Sequence, residues 1–428
     1  MSSQELLKIF LNSTGGITTD SRRCKKGMMF FALKGENFDG NKYAKEALEE
    51  GCIYAVVDDK NLRDVQGVII VDDVLKSLQG LAREYRRTLN IPVVCLTGSN
   101  GKTTTKELIT AVLSRKYKVH ATQGNLNNHI GVPLTLLSAP SNTEMLVIEM
   151  GANRCGEIAT LCSIVEPTCG LITNIGRAHL EGFGGITGVK KGKGELFEFL
   201  RNNDDNLAFV NANHNVLIEI SKGLKSILYG NTKHEPWAKF IEGDVRKFVW
   251  TEGGKSSEPL PVQLEGDYNL DNITTAIALG LHFGVDRKAI GEAISDFSPT
   301  NNRSQTIKTD RNTILLDAYN ANPSSMTGAL ESFAKNINGP KLVVLGDMRE
   351  LGTYSHEAHK EIVGLCERLG LKGIFVGEEF YAVSERDSRF YQSIEDLIRV
   401  WESESLKGKT VLLKGSRGMR MEQLLPLL

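Results

Sequence analysis

At 428 residues the chain exceeds one ordinary hydrophobic core, since domains usually run to ~100–200 residues, so two or three are expected and three are favoured. Hydrophobic residues make up 41% and charged residues 24%, a balance that excludes a disordered or fibrous protein. A formal net charge of -1 argues against non-specific nucleic-acid binding, which needs a basic field, while small anionic substrates need only local positive charge. The N-terminus, MSSQELLKIF, has no basic segment ahead of a long apolar stretch. No window approaches the ~20 apolar residues of a membrane span, so a soluble cytoplasmic protein without membrane insertion is expected.

Residues 1 to about 88 alternate apolar strand-like runs (MMFFAL, IYAVV, GVIIV) with helical patterns at 41–51 and 73–88, which reads as a small α/β N-terminal domain, 1–88. A new start follows at Ile91-Pro92, where VVCLTG forms a buried strand, a Gly-rich turn comes next, and an amphipathic helix runs from about Lys102 to Arg115. Strand and helix then alternate through MLVIEM, a helix near 156–165, CGLITNI and a helix near 187–201, as expected of a parallel sheet covered on both faces. Between about 237 and 265 the pattern turns shorter and more polar, which suggests a small antiparallel excursion before helices at 268–284 and 286–296. These residues form the expected central domain, 89–299. After Ser298-Pro299-Thr300 a fresh alternation begins with TILLDAY, KLVVLGD, GIFVG and TVLLKG as strands, a third, Rossmann-like domain over 300–428.

Seven cysteines, at 24, 52, 95, 155, 162, 169 and 366, are too scattered for a disulfide framework, so reduced thiols are expected. The even spacing of Cys155, Cys162 and Cys169 is broken by Pro167, which favours core packing over a metal site. His356 and His359 in YSHEAHK lack the HExxH pattern, because position 360 is Lys, and are read as surface or loop residues.

The run Thr97 to Thr104 (TGSNGKTT) joins an apolar strand to a helix N-terminus. Backbone N–H groups and the positive end of a helix dipole then surround one concavity, which suits a phosphate. Gly98 and Gly101 let the backbone curl, Lys102 can neutralise terminal phosphates, and the Thr103 hydroxyl can ligate Mg²⁺. Leu96 stands where the general P-loop pattern has its first glycine, so this is the shorter Gly-x-x-Gly-Lys-Thr form. The bland alternative, a chance Gly-Lys-Thr on a solvated turn, is disfavoured by the strand before it and the helix after it. A central P-loop parallel-sheet ATPase domain is the expectation.

Glu149 ends MLVIEM, where a strand of this topology aims a carboxylate at the phosphate site, although strand-end carboxylates are often merely solvated. His179, in TNIGRAHLEGFGG, follows the next apolar strand in a stretch able to turn back toward the same edge. A lone His is more often satisfied or solvated, and its coincidence with the loop and Glu149 favours metal or phosphate binding. Lys190 and Lys191, in KKGKGELF, read as a solvated helix start, and Lys193 beside them carries no signal by itself.

Taken together, TGSNGKTTTKE, VIEMGANRCGEI, TNIGRAHLEGFG with KGELF, LDAYNANPSS, LGDMRELG and the terminal KGSRGM resemble the Mur ligase family across essentially the whole chain. EMGAN, NIGRAHLEGFG, AYNANP and GDMRELG resemble most the branch that joins D-alanyl-D-alanine to UDP-N-acetylmuramoyl-tripeptide in peptidoglycan precursor synthesis. The resemblance implies that Ser21 and Arg22 of DSRR hold the uridine end and that Asn127 and Asn128 of GNLNNHIGVP line the substrate cleft. Thr97 to Thr104 would bind ATP, with Asn272 facing the adenine and Arg303 and Asp317 closing over the nucleotide from the third domain. Thr103, Glu149 and His179 would organise Mg²⁺, joined by Lys193 if it is carbamylated, and Lys102, Glu149, His179 and Lys193 would be the catalytic set. TNNRSQTIK around Arg303 departs from the family's usual Gly-Arg-Leu pattern. A monomer is expected. Two rival readings are another amide ligase of the superfamily, such as a folylpolyglutamate synthase, disfavoured by DSRR, AYNANP and GDMRELG, and a P-loop NTPase switch, disfavoured by the shortened loop and the absence of a basic face.

Overall fold

The computed structural model describes every residue except 244, 300–301, 385–386 and 402–405. The expected division at Ser298-Pro299-Thr300 ends on Thr300, which lies outside the described residues. Three main sheets follow one another along the chain. The first has four parallel strands, Ile17–Thr18, Met29–Phe31, Tyr54–Val57 and Val68–Ile70, in that order. The helix Val74–Leu89, opened by the Asp73 side chain accepting from the Lys76 N–H and closed by left-handed Asn90, connects it to the central sheet.

The central sheet has six strands, all parallel, in the order Ser226–Tyr229, Leu207–Asn211, Cys169–Ile172, Val93–Thr97, Met145–Glu149, Val119–Ala121. VVCLT and MLVIE are buried at every position, as strands covered on both faces must be. The chain leaves Val93–Thr97 toward one side and returns to pair on its other side through Cys169–Ile172, which opens the crevice at strand C-termini where open α/β sheets bind ligands. The helices Lys102–Leu113 and Asn269–His282 cover one face, and their core includes Leu108, Val112, Ile273 and Ile277. The antiparallel excursion is present as Trp237–Ile241, Lys247–Glu252, Lys255–Ser256 and Leu260–Pro261.

The third sheet also has six strands, Gln305–Lys308 antiparallel at one edge, then Thr313–Asp317, Thr410–Lys414, Lys341–Gly346, Gly373–Val376 and Phe390–Tyr391 in parallel. The architecture is the expected α/β arrangement of a parallel P-loop sheet between a smaller α/β unit and a Rossmann-like one. No described helix is long and apolar enough to cross a membrane.

The readings of His359, Cys155, Lys190 and Lys191 are corrected. His359 is not a surface or loop residue: it lies on the helix Ser355–Arg368, fully buried, with Nε2 accepting from the Met348 N–H at 3.0 Å and Nδ1 2.8 Å from Ser355 O. His356 is an exposed surface residue, as expected, and lies on the same helix. Cys162 and Cys169 are core residues as expected, whereas Cys155 is exposed on the loop before the helix Glu157–Val165, where no sheet face is available to cover it. All seven cysteines are free thiols. Lys190 and Lys191 sit within the helix Ile186–Leu200 rather than at its start, Lys191 exposed and Lys190 paired with Glu219 at 2.8 Å.

Candidate active site

The phosphate loop is shaped by what presses against it. Gly98 has φ +145, and a Cβ there would fall 2.0 Å from Thr173 Oγ1; Gly101 has φ +77, and its Cβ would fall 2.6 Å from Asn272 Oδ1. Only glycine fits either position. The strand that ends at Ile172 fastens the loop further. Ser99 N–H donates to Asn174 O at 3.0 Å, Asn100 N–H to Asn174 Oδ1 at 3.0 Å, and Thr173 Oγ1 to Asn100 O at 2.6 Å. No side chain caps the helix that begins at Lys102, so its first N–H groups remain directed at whatever enters the loop. Lys102 Nζ donates to Gly98 O at 2.8 Å and Ser99 O at 3.2 Å, so the ammonium sits inside the curl. Enclosure lowers its pKa, Arg303 adds to that, and Glu149 opposes it.

Loop and neighbours line a cavity of about 870 Å³. Ser99 to Thr104, Glu149, Asn127, Asn128, His179, Asn272, Arg303 and Asp317 all border it, so most of the expected site residues share one space. Thr97 lies behind the loop at the strand end, its Oγ1 donating to Met150 O at 2.8 Å. Asn272 is enclosed by protein partners, accepting from Thr105 Oγ1 at 2.9 Å and donating to Asn269 Oδ1 at 2.8 Å, which makes it a brace for Gly101 as well as a lining residue. Asn128 Oδ1 accepts from the N–H groups of Ile130 and Gly131, shaping the turn before the helix Gly131–Leu137.

Among the described residues, three that line the cavity, Glu149, Arg303 and His179, each carry a buried polar atom without a hydrogen-bond partner, and the first two mark what the cavity is made to hold. Glu149 is 2% exposed; its Oε1 accepts from Asn127 Nδ2 at 2.8 Å, and Oε2 has no partner. Arg303 lies over the Tyr319 ring at 3.5 Å from its centroid, and its Nε has no partner. A buried charge left unsatisfied is costly, so a bare carboxylate oxygen in the cavity that Thr103 also lines fits a divalent cation, and a bare guanidinium donor fits an anion. No three His, Cys, Asp or Glu side chains among the described residues converge on one metal position.

Lys193 lies one layer back, outside the cavity lining. It is 1% exposed, donates to Ala152 O at 2.9 Å and sits 5.0 Å from the Phe183 ring centroid. Burial, and after it the nearby Lys102, push its amine well below the ordinary lysine range. Ser21 and Arg22 are not brought to this cavity. They form a short helical turn in which Asp20 binds the exposed Arg22 guanidinium through Nε and Nη2, both at 2.9 Å.

The third sheet completes the site. Asn322 Nδ2 donates to Asn100 Oδ1 at 2.7 Å, Ser324 Oγ accepts from the Arg177 N–H at 2.8 Å, and Asp317 is paired with buried Lys414. Tyr319, Asn320, Asn322 and Lys414 line the cavity without having been singled out individually in the sequence, although AYNANP and KGSRGM contain or adjoin them. Asn174, which falls within TNIGRAHLEGFG without having been singled out, also lines it, as do Tyr268 and the pair His214–Asp271 at 2.8 Å, which only tertiary proximity marks.

A phosphate cradle on a parallel sheet, faced across one cavity by a Rossmann-like unit, defines a multidomain nucleotide-dependent enzyme. The description "Mur ligase family, catalytic domain" matches residues 14–94, "Mur ligase middle domain" residues 96–280, and "Mur ligase, glutamate ligase domain" residues 302–417. The UDP-N-acetylmuramoyl-tripeptide--D-alanyl-D-alanine ligase of Bacillus subtilis is 35% identical over 426 residues, covering 96% of this chain and 92% of the relative. The Escherichia coli enzyme of the same name is 33% identical, covering 95% and 92%. Among solved structures, MurF from Acinetobacter baumannii aligns with a TM-score of 0.88 at 30% identity, covering 99% of this chain and 98% of that one. MurF from Thermotoga maritima in complex with ADP aligns at 0.85 and 27%, covering 96% of each. The chain belongs to the Mur ligase family.

The glycine geometry carries a direct test. Gly101→Ala should weaken binding of a non-hydrolysable ATP analogue by about tenfold or more in isothermal titration, since the methyl group displaces Asn272 and the loop together. Unchanged affinity would mean that the loop does not cradle the phosphates.

Proposed function

We propose that the chain joins D-alanyl-D-alanine to UDP-N-acetylmuramoyl-tripeptide at the expense of ATP, forming the UDP-N-acetylmuramoyl-pentapeptide precursor of peptidoglycan. The observation that carries this reading is the single cavity in which the phosphate loop faces Arg303, Tyr319 and Asn322, and whose lining continues to Gln79 and His129. That extent accommodates a nucleotide triphosphate meeting the end of a long substrate. Residues 1–88 would hold the UDP end through Ser21 and Arg22, 89–299 the ATP, and 300–428 the dipeptide. The reading takes the enzyme as a monomer, and the nucleotide substrates suit a cytoplasmic enzyme.

A free carboxylate is a poor acyl donor, and ATP converts it into a good one. A peptide carboxylate oxygen attacks the γ-phosphorus, the bond to the β-γ bridging oxygen breaks, and ADP leaves an acyl phosphate. The dipeptide amine, having lost its proton, then attacks the acyl carbon, and phosphate departs. No protein nucleophile is required; the chain's task is to bring two anions together and hold them in line. Lys102 and the N–H groups of the Lys102–Leu113 helix would bind the β- and γ-phosphates, and Arg303 would approach them from the third unit. Thr103 and Glu149, with His179, would hold Mg²⁺, which when bound draws charge from the phosphates. Asn127 fixes Glu149 Oε1, so that Oε2 is the oxygen left for this role. Contact of Asn322 with Asn100 would exclude water from the acyl phosphate.

Lys193 would take part as a carbamate. Burial, which lowers its pKa, favours the neutral amine that adds to carbon dioxide, and the product would be an anion suited to a cation. Protein equilibrated with ¹³C-bicarbonate should show a carbamate resonance that Lys193→Ala lacks; no such resonance would leave Lys193 a packing residue.

Phosphate release should require all three substrates, so each is omitted in turn; equal release without the dipeptide would count against ligation. Lys102→Ala should reduce ADP formation to near background. Near-normal ADP formation by that variant would overturn its place at the phosphates.

A further inference from the structure

The GDMRELG segment of the third unit, residues 346–352, has no role in the mechanism above, yet it is built as rigidly as the phosphate loop. The Asp347 carboxylate accepts from the N–H groups of Glu379 at 3.0 Å and Phe380 at 2.9 Å. Met348 N–H donates to the buried His359 Nε2 at 3.0 Å, which requires a lone pair there and so places the ring proton on Nδ1, against Ser355 O. Arg349 N–H donates to Ser416 Oγ at 2.9 Å, and Ser416 N–H returns to Asp347 O at 3.0 Å. Three successive residues are thus pinned from behind. The fourth, Glu350, is pushed forward with φ +64, a left-handed conformation that a glycine would adopt without strain.

Glu350 reaches the central unit at His179. Its Oε2 lies 2.5 Å from His179 Nδ1, and its backbone O accepts from the Glu181 N–H at 3.3 Å. His179 is itself left-handed, with φ +52, and its buried Nδ1 has no hydrogen bond of regular geometry among the described residues, so this carboxylate is what the ring nitrogen meets. Two strained non-glycine residues therefore face each other across the seam between two units, and one of them lines the cavity.

We propose that Glu350 is a positioning residue: docking of the 347–352 tongue orients the His179 ring from behind, so the phosphate end of the site is complete only when the third unit is seated. A carboxylate on Nδ1 leaves Nε2 as the ring nitrogen available to the cavity, the arrangement typical of histidines whose orientation matters. The side chain of Glu350 is 52% exposed, so the contact adds little to the stability of the fold. Its value lies in coupling the position of one unit to a side chain in the other.

This inference rests on the ligase reading for its kinetic arm and is independent of it for its structural arm. Glu350→Ala should melt within a degree or two of the parent, yet hydrogen exchange at the amides of residues 179–184 should rise by about tenfold. At saturating substrates its kcat should fall about tenfold with KM for ATP changed less than about twofold, and Glu350→Gln, which keeps an acceptor oxygen, should recover most of the loss. Parental exchange at 179–184 in Glu350→Ala would overturn the docking contact. Raised exchange with parental kcat would reduce it to a structural contact and overturn the positioning role. A parent protein that releases no phosphate with its three substrates would instead sink the ligase reading, and the exchange measurement would still decide the contact.

Discussion

Everything in the site depends on how closely the strand end at Thr173 approaches the turn at Gly98. A parallel strand pair brings Ile172 beside Thr97, and the next residue on each strand then has room for one side chain only. Thr173 supplies it, and glycine must stand opposite. The consequence runs forward along the chain. Ser99 and Asn100 are tied to Asn174, Gly101 is forced to φ +77 under Asn272, and the helix after it begins without a side-chain cap. Unspent N–H groups at a helix start are ordinarily a liability; here they are what an anion would bind.

Charge is arranged around that cradle in a way that makes sense only with a guest. Lys102 is enclosed with its pKa lowered, Glu149 carries a buried oxygen without a partner, and Arg303 carries a buried donor without one. A solitary protein would gain by pairing these groups or moving them to solvent. Each is instead fixed by a neighbour that occupies its other atoms or face: the carbonyls of Gly98 and Ser99 for Lys102, Asn127 for Glu149, Tyr319 for Arg303. Preorganisation of this kind would let a triphosphate and a divalent cation bind without reorganising the protein as charge moves.

Much of the fold and the centre of the site were legible because they rest on local rules. VVCLTG before GKTT gives strand, turn and helix by composition alone, and MLVIEM places Glu149 by strand length. What was not legible depends on the register between distant strands or on packing between units. Asn174 and Thr173 are ordinary residues until the pairing of Cys169–Ile172 with Val93–Thr97 brings them to the loop. His359 looked like a surface histidine because its helix is amphipathic and its buried face is recognisable only once Met348 and Phe380 are seen against it. Cys155 failed in the opposite sense: core packing was expected of it along with Cys162 and Cys169, but the helix Glu157–Val165 begins after it and leaves it outside. Short strands such as Val119–Ala121 and Gln305–Lys308 carry too few buried residues to stand out in sequence.

The seam between the central and third units shows why an enzyme that joins large, charged substrates is built in pieces. A cavity enclosed enough to protect an acyl phosphate could not admit them if it were rigid, so enclosure has to be completed by a unit that moves as a body. Such a unit needs contacts that are specific but individually weak. Those here fit that demand: Asn322 with Asn100, Ser324 with the Arg177 backbone, Arg177 with Glu361, and Glu350 with His179 are single polar contacts, several of them partly exposed. Each is worth little alone. Asn100, Arg177 and His179 lie on the loops that follow the two central strands defining the crevice, so seating the third unit acts on the same backbone that forms the phosphate cradle. On the proposed reading, closure and assembly of the site would be one event.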